Sequence, residues 1–323
     1  MTNDAEILRV LRSNGGGVSG AEISRHVGIS RATVSARIED LRSLGYDIEA
    51  GPHSGYRLVS APDLLHADDL MSRLEPRCVV GRDIQVFRET TSTNDIVEKL
   101  ARDGVKEGVA VFAETQTKGR GRLGRRWISP LRKGLWFSVL LRPRLRTQAV
   151  TQITIAAATA LAQSIEAHTG LRPSIKWPND VVLRGRKVAG ILTEMSGELD
   201  QVKYVILGIG VDVNVEVFPA DLRQLATSLK IETGEIVDRS ALAAEILTEL
   251  DRQYSRVCNG QFESVANAWE ERCATIGRDV TIVAGQRRVQ GRAEALDQDG
   301  ALLVRTQHGR LEALVGGDVT VQK

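Results

Sequence analysis

Gly119-Arg-Gly-Arg-Leu-Gly-Arg-Arg-Trp127 is the stretch on which the fold turns. Gly119, Gly121 and Gly124 spell GxGxxG, the dinucleotide fingerprint. That fingerprint joins a strand to a helix in a doubly wound parallel sheet, with a pyrophosphate at the helix N-terminus. Here the next residues are Trp127-Ile-Ser-Pro130, which cannot open a helix cleanly. We therefore reject the dinucleotide fold. What remains is a glycine loop bearing Arg120, Arg122, Arg125 and Arg126 and ending in an indole. Glycines let a loop wrap a ligand closely. Guanidiniums grip phosphate and carboxylate oxygens in pairs, and an indole can stack on a purine. The plainer alternative is a solvated basic loop beside a half-buried Trp. Three glycines, four arginines and one Trp within nine residues favour the ligand-binding reading.

Working outward, residues 64 to 273 alternate between strand and helix patterns. Strands are expected at 84–89, 109–114, 135–141, 180–183, 187–194 and 204–213. Helices are expected at 95–101, 149–168, 241–257 and 262–272. Arg184-Gly185-Arg186 joins two strands as a hairpin, so neighbours run antiparallel and the class is α+β with a mixed sheet. After Ile276 come short strands at 280–283, 288–296, 302–305, 311–314 and 319–321. The turns between them are Asp299-Gly300, His308-Gly309 and Gly316-Gly317, which suggests a small SH3-like barrel. Ahead of the sheet lies a compact unit. Helices are expected at 4–13, at 20–27 behind Ser19, and from the Ser30 cap to Leu44 with Val34, Ile38 and Leu41 inward. Strands at 46–48 and 56–59 flank Gly51-Pro-His-Ser-Gly55, a hairpin signature. That order is a winged helix-turn-helix, and 61–63 reads as a linker. The expected domains are 1–62, 63–274 and 275–323.

Composition narrows the function. The chain has 323 residues, and 43 basic against 41 acidic side chains leave a net charge of +2, so any nucleic-acid or membrane binding must be local. Its most apolar run, 153–162, is too short to span a bilayer. The N-terminus shows no signal-peptide pattern. Cys78, Cys258 and Cys273 are odd in number and far apart, which excludes a disulfide framework. No metal site is read from the sequence. A cytoplasmic protein is expected.

Two further motifs carry chemistry. Lys176-Trp-Pro-Asn-Asp180 puts a Lys at a strand end beside a rigid turn, where its ammonium could stabilise developing charge. The plainer alternative is a turn in which Asp180 pairs with Lys176. Thr91-Ser92-Thr93-Asn94 follows a strand. At least one of its hydroxyls is expected to cap the next helix, and the group could also form a polar ligand pocket with Gln116.

The glycine–arginine loop, the Lys-Trp-Pro-Asn-Asp motif and Ser92-Thr-Asn94, in that order, resemble the signatures of biotin–protein ligases. Lys187-Val-Ala-Gly-Ile-Leu192 and Gly208-Ile-Gly210 resemble strands of the same family. The added N-terminal unit is similar to that of bifunctional members, which also repress the biotin operon. The resemblance implies that Ser92, Thr93, Asn94 and Gln116 line the biotin head pocket. It implies that Arg120, Gly121 and Arg122 fold over biotin and its adenylate. Lys176 and Arg122 would be catalytic, Arg125 would assist with phosphate, and Trp127 would pack on adenine. Asp212 and Asn214 fall where the family tends to read Asn-Val-Asn, with the first residue near the adenine. An Asp can still accept from an adenine amine but cannot donate. The implied substrates are biotin and ATP with Mg2+. The implied partners are a biotin carboxyl carrier protein, operator DNA and a second copy of the chain once the adenylate is bound. Two other readings are a ligand-sensing repressor without catalysis, for which Lys176 beside an arginine loop would be superfluous, and a lipoate-type ligase.

DNA contacts are assigned to Ser30, Arg31, Thr33 and Arg37, at or near the start of the third helix. Within 1–60, seven arginines are balanced by seven acidic residues, so no strongly basic face is expected.

Overall fold

The computed structural model describes residues 2–51, 55–198 and 200–321. Helices α1 (Asn3–Ser13), α2 (Gly20–Val27) and α3 (Arg31–Ser43) precede a hairpin of β1 (Asp47–Gly51) and β2 (Gly55–Ser60). Ser19 and Glu22 form a reciprocal capping box on α2. Gly28 ends that helix at φ 77°, a left-handed position that glycine takes at little cost. Val34, Ile38 and Leu41 bury one side of α3 against Ile7, Leu8, Leu11 and Ile23. The expected hairpin tip, Pro52-His-Ser54, lies outside the described residues.

Next come α4 (Ala67–Arg73), β3 (Asp83–Phe87), α5 (Thr93–Arg102), β4 (Val109–Ala113) and β5 (Gly134–Leu141). They are followed by α6 (Thr151–Thr169), β6 (Ser174–Lys176), β7 (Asp180–Leu183), β8 (Arg186–Glu198) and β9 (Gln201–Asp212). Helices α7 (Leu229–Thr233), α8 (Arg239–Cys258) and α9 (Phe262–Glu270) complete this part. The seven strands lie in the order β3-β4-β5-β9-β8-β7-β6. Only β3 and β4 run parallel; every other neighbouring pair is antiparallel. That is a mixed α+β sheet, as the hairpin at 184–186 requires. Arg184 at φ 49° and Gly185 at φ 78° make its two-residue turn, whose twist matches the strands. α6 has no polar face because it packs on the sheet and is covered by α8 and α9.

The remainder is a five-stranded antiparallel sheet of β10 (Asp279–Ala284), β11 (Arg287–Leu296), β12 (Leu302–Thr306), β13 (Leu311–Leu314) and β14 (Asp318–Val321). Its strand order is β13-β12-β11-β10-β14. Val280, Ile282, Val304 and Leu314 join the main hydrophobic core, so this sheet packs on the central unit. The N-terminal unit is tied on differently, through polar groups. The Arg9 guanidinium donates to the carbonyls of Met71, Ser72 and Leu74 at 3.0, 3.2 and 2.8 Å, satisfying the C-terminal end of α4. Arg12 pairs with Asp69. Among the described residues no helix is long and apolar enough to cross a membrane.

Candidate functional site

The antiparallel pairing of β5, β9 and β8 builds a floor opened by three glycines, Gly190, Gly208 and Gly210. Gly210 of β9 lies opposite Gly190 of β8, and Gly208 lies opposite Ser138 of β5. A Cβ on Gly210 would stand 2.5 Å from the Trp127 indole, and one on Gly190 would stand 2.8 Å from it. The indole is therefore seated flat on two bare backbones. Lys187 lies over its ring at 5.0 Å. We expect Gly210→Ala to lift Trp127 off this seat and cost about 1–3 kcal/mol. Trp136, Trp177 and Trp269 are buried, so acrylamide quenching of tryptophan emission reports chiefly on Trp127. Unchanged quenching together with unchanged stability would show that the seat is not needed.

At the other end of the floor, Gly208 makes room for Asn94, whose Oδ1 would be 2.4 Å from an added Cβ. The polar groups here form one ordered chain. Ser138 donates to Asn94 Oδ1 at 2.5 Å, and Asn94 Nδ2 donates to Glu194 at 2.5 Å. Ser138 has spent its proton, so the 2.7 Å contact between Thr93 and Ser138 is a bond donated by Thr93. Helix α5 starts two residues before the expected 95–101, which puts Thr93 and Asn94 in its first turn. The expected hydroxyl cap is absent. Ser92 is the N-cap residue but makes no capping bond, and Thr91 donates to the Asp95 side chain instead. The Thr93 amide is satisfied by Gln116 Oε1 at 2.9 Å, from the segment just before the glycine loop. Gln116 Nε2 in turn donates to Ser129.

The loop closes across itself. Trp127 N donates to Gly119 O at 2.9 Å, and Gly121 N donates to Arg125 O at 2.7 Å. A Cβ on Gly119 would meet the Trp127 carbonyl at 2.5 Å, so this close approach requires glycine. The loop fans its cations apart. Arg120 bridges Asp95 and Glu194, Arg122 donates to Asn179 Oδ1 at 3.0 Å, and Arg125 pairs with Asp318 at the start of β14. Burial pulls the Arg122 pKa down, with Asp318 and Asp180 opposing it.

Lys176 ends β6 and lines the cavity. Trp177 anchors the motif in the core, and Asn179 binds Ile191 on β8 through both its backbone and its side-chain amide. The alternative Lys176–Asp180 ion pair is not formed: Asp180 pairs with Lys187 at 2.6 Å.

Together these residues surround one cavity of about 770 Å3. Ser92, Thr93, Asn94, Gln116, Arg120, Gly121, Arg122, Arg125, Trp127, Lys176 and Asp212 all line it. Asn214 does not. Its amide is used at both ends by the backbone of Val237, at 2.9 and 3.0 Å, and it serves as a buried clamp rather than a ligand contact. Glu194, Ser138 and the Lys187–Asp180 pair were not identified from sequence. Lys187 stands within Lys187–Leu192, whose sequence pattern marks only a strand.

Residues 86–212 match the biotin/lipoate A/B protein ligase family, 4–57 match a helix-turn-helix domain, and 275–321 match the biotin protein ligase C-terminal domain. The bifunctional ligase/repressor BirA of Bacillus spizizenii is 38% identical over 294 residues, 90% of either chain. This chain belongs to the biotin protein ligase family. BirA of Escherichia coli K12 is 29% identical over 98% of this ligase and 96% of its own length. Among solved structures, the biotin protein ligase from Aquifex aeolicus in complex with biotin and ATP matches with a TM-score of 0.64. It is 29% identical, over 74% of this ligase and 98% of that chain.

The helix-turn-helix of the ligase carries its own candidate surface. Ser30 caps α3 through the Thr33 amide at 3.1 Å, and its hydroxyl also meets that of Thr33 at 2.8 Å. Arg31 is exposed at the helix start, beside exposed Ala32, Ser35 and Ala36. Arg37 turns back towards Asp4 of α1 at 3.8 Å and Asp40 at 3.5 Å.

Proposed function

We propose that this chain joins biotin to ATP, giving biotinyl-5′-AMP, and then passes biotin to a lysine of a biotin carboxyl carrier protein. The observation that carries this reading is the division of one cavity into two chemistries. A hydroxyl–amide network from Thr93 to Glu194, closed by Arg120, lies at one end, and Arg122, Arg125 and a seated indole lie at the other. The first suits a cyclic urea, which offers one acceptor and two donors. The second suits a nucleotide.

In the first step a biotin carboxylate oxygen attacks the α-phosphorus, a C(O)–O–P bond forms, and pyrophosphate leaves with the electrons of the broken P–O bond. An anion attacking a polyanion requires neutralisation, which Lys176, Lys187 and Arg122 supply from fixed positions. In the second step a neutral lysine amine of the carrier attacks the acyl carbon, AMP leaves, and the amine loses a proton. Neither step needs a covalent nucleophile from the protein. Among the described residues no cluster of three or more His, Cys, Asp or Glu side chains is arranged to hold a metal. Mg2+ is read as part of the substrate, entering with the nucleotide phosphates.

The units 1–62, 63–274 and 275–323 are read as a DNA-binding, a catalytic and a C-terminal domain in a cytoplasmic protein. The first is proposed to bind operator DNA through the start of α3, with biotinyl-5′-AMP as corepressor. One such module is a small contact, so a homodimer on a two-part operator is expected when the adenylate is bound.

The test uses labelled biotin with Mg2+ and ATP, with and without a carrier domain. Label should appear first as adenylate and then on the carrier, and lipoate should not substitute. Arg122→Gly is expected to raise adenylate release at least about tenfold, because a cationic clamp on the phosphate is lost. Equal release rates would overturn that role. Absence of any biotin-dependent adenylate would overturn the ligase reading.

A further inference from the structure

Among the described residues the helix-turn-helix unit and the ligase domain keep separate hydrophobic cores. Ile7, Leu8, Ile23 and Ile38 belong to the first, and Leu65, Leu70 and Leu74 to the second. Where the two units meet lies a cavity of about 650 Å3. It is lined by Leu8, Leu41 and Leu44 of the one and by Leu64, Val86 and Leu131 of the other. Apolar packing therefore does not set the angle between them. Domains joined without a large apolar interface move relative to one another by default.

Polar contacts set the angle instead. Arg9 and Arg12 stand one turn apart on α1 and both reach α4. The planar Arg9 guanidinium donates to three carbonyls at the end of α4, those of Met71, Ser72 and Leu74. One flat group fitted to three fixed acceptors sets direction as well as distance. Arg12 meets the buried carboxylate of Asp69, which Arg73 of α4 also holds at 3.2 Å. Thr2, ahead of α1, donates to Asp68 at 2.5 Å. The linker is fastened as well. Arg239 grips the Asp63 side chain at 2.9 Å and its carbonyl at 3.3 Å, and the Leu65 amide donates to Glu114 at 2.8 Å. The unit is thus bolted on at two places rather than tethered. Two of the seven arginines in 1–60 are used in this joint, although arginine in a DNA-binding module commonly goes to phosphates.

We propose that Arg9 and Arg12, by holding each helix-turn-helix at one angle to its ligase domain, make the dimer selective for the spacing between two operator half-sites. This rests on the reading that the adenylate-bound dimer binds a two-part operator. One base pair added between half-sites moves the second by about 3.4 Å and turns it by about 35° around the duplex. A tethered module follows such a change. A fixed one does not, and the gain from engaging both half-sites at once is lost where geometry forbids it. Arg9 and Arg12 are positioning residues in this scheme and touch no DNA.

The experiment starts from random-sequence duplexes retained by the full-length chain with biotin and MgATP. The tightest duplex is remade with one or two base pairs added or removed between its half-sites, and each is titrated by gel shift. Parent affinity is expected to fall at least about tenfold for one base pair in either direction. In Arg9→Met with Arg12→Met both aliphatic stems remain and Arg73 still pairs with Asp69, so the fold and the rate of adenylate formation should hold. Affinity of that variant should vary less than about threefold over the same series. Arg9→Gln alone is the milder change, should fall between the two, and serves if the double variant does not fold. A parent indifferent to spacing overturns the proposal, as does a folded variant as selective as the parent. If no duplex is retained, or if those retained carry a single half-site, it is the operator-dimer reading that fails, which separates the two outcomes.

Discussion

Changing Lys176 to Ala is expected to slow adenylate formation about a hundredfold, equivalent to ~2.7 kcal/mol of transition-state stabilisation. Biotin affinity should change no more than about threefold. The ammonium lines the cavity at the end of β6, and no carboxylate within the described residues neutralises it. Negative charge accumulates on the α-phosphoryl oxygens as the biotin carboxylate attacks. A cation fixed there gains more in the transition state than in the ground state, so the effect belongs in the rate rather than in biotin binding. Single-turnover quench measurements give the first quantity and equilibrium dialysis of biotin the second. An unchanged single-turnover rate would remove Lys176 from the chemistry and leave Lys187 as the cation to examine.

The largest effect on stability is expected at Arg239, the first residue of α8. Its guanidinium pairs with Glu114 at 2.6 Å, and both side chains are almost completely buried. It also donates to Gly134 O at 3.2 Å and meets Asp63 in the linker at 2.9 Å. Glu114 in turn accepts from the Leu65 amide at 2.8 Å. Arg239→Ala leaves the Glu114 carboxylate buried without a counter-charge, which costs about 3–5 kcal/mol. In a unit of this size that lowers the thermal midpoint by roughly 10 °C. The double change Arg239→Met with Glu114→Gln removes both charges and should recover more than half of the loss. A single variant within about 1 kcal/mol of the parent in urea titration would show that water reaches Glu114.

Much of the site was legible because its chemistry is contiguous in sequence. The loop at 119–127 carries its own glycines, cations and indole, and Pro130 alone was enough to exclude the dinucleotide fold. The hairpin at 184–186 fixed the sheet as mixed. What stayed hidden depends on strand register and on short elements. β6 spans three residues and α7 five, too few to show a period. α4 was missed as well: only seven residues long, with Asp68, Asp69 and Arg73 among them, it shows no clear apolar stripe. Asp180 finds Lys187 rather than Lys176 because the turn at 184–185 folds β8 back beside β7, a choice that spacing along the chain does not reveal. Glu194 and Ser138 read as ordinary strand residues, and only the sheet brings them under Asn94. Asn214 failed for the opposite reason. Its neighbour Asp212 faces the cavity, but β9 ends there, and two residues later the chain has turned into the core.

The Arg125–Asp318 pair gives the loop an internal placeholder. The carboxylate at the start of β14 holds a guanidinium that would otherwise be free to take a phosphate oxygen. Both side chains are well exposed, at 64% and 45%, and exposed pairs of this kind contribute at most about 1 kcal/mol. A triphosphate carries far more charge than Asp318 and would displace it at little cost. The C-terminal sheet thus holds the arginine at the rim of the cavity by a pair weak enough for a stronger anion to replace.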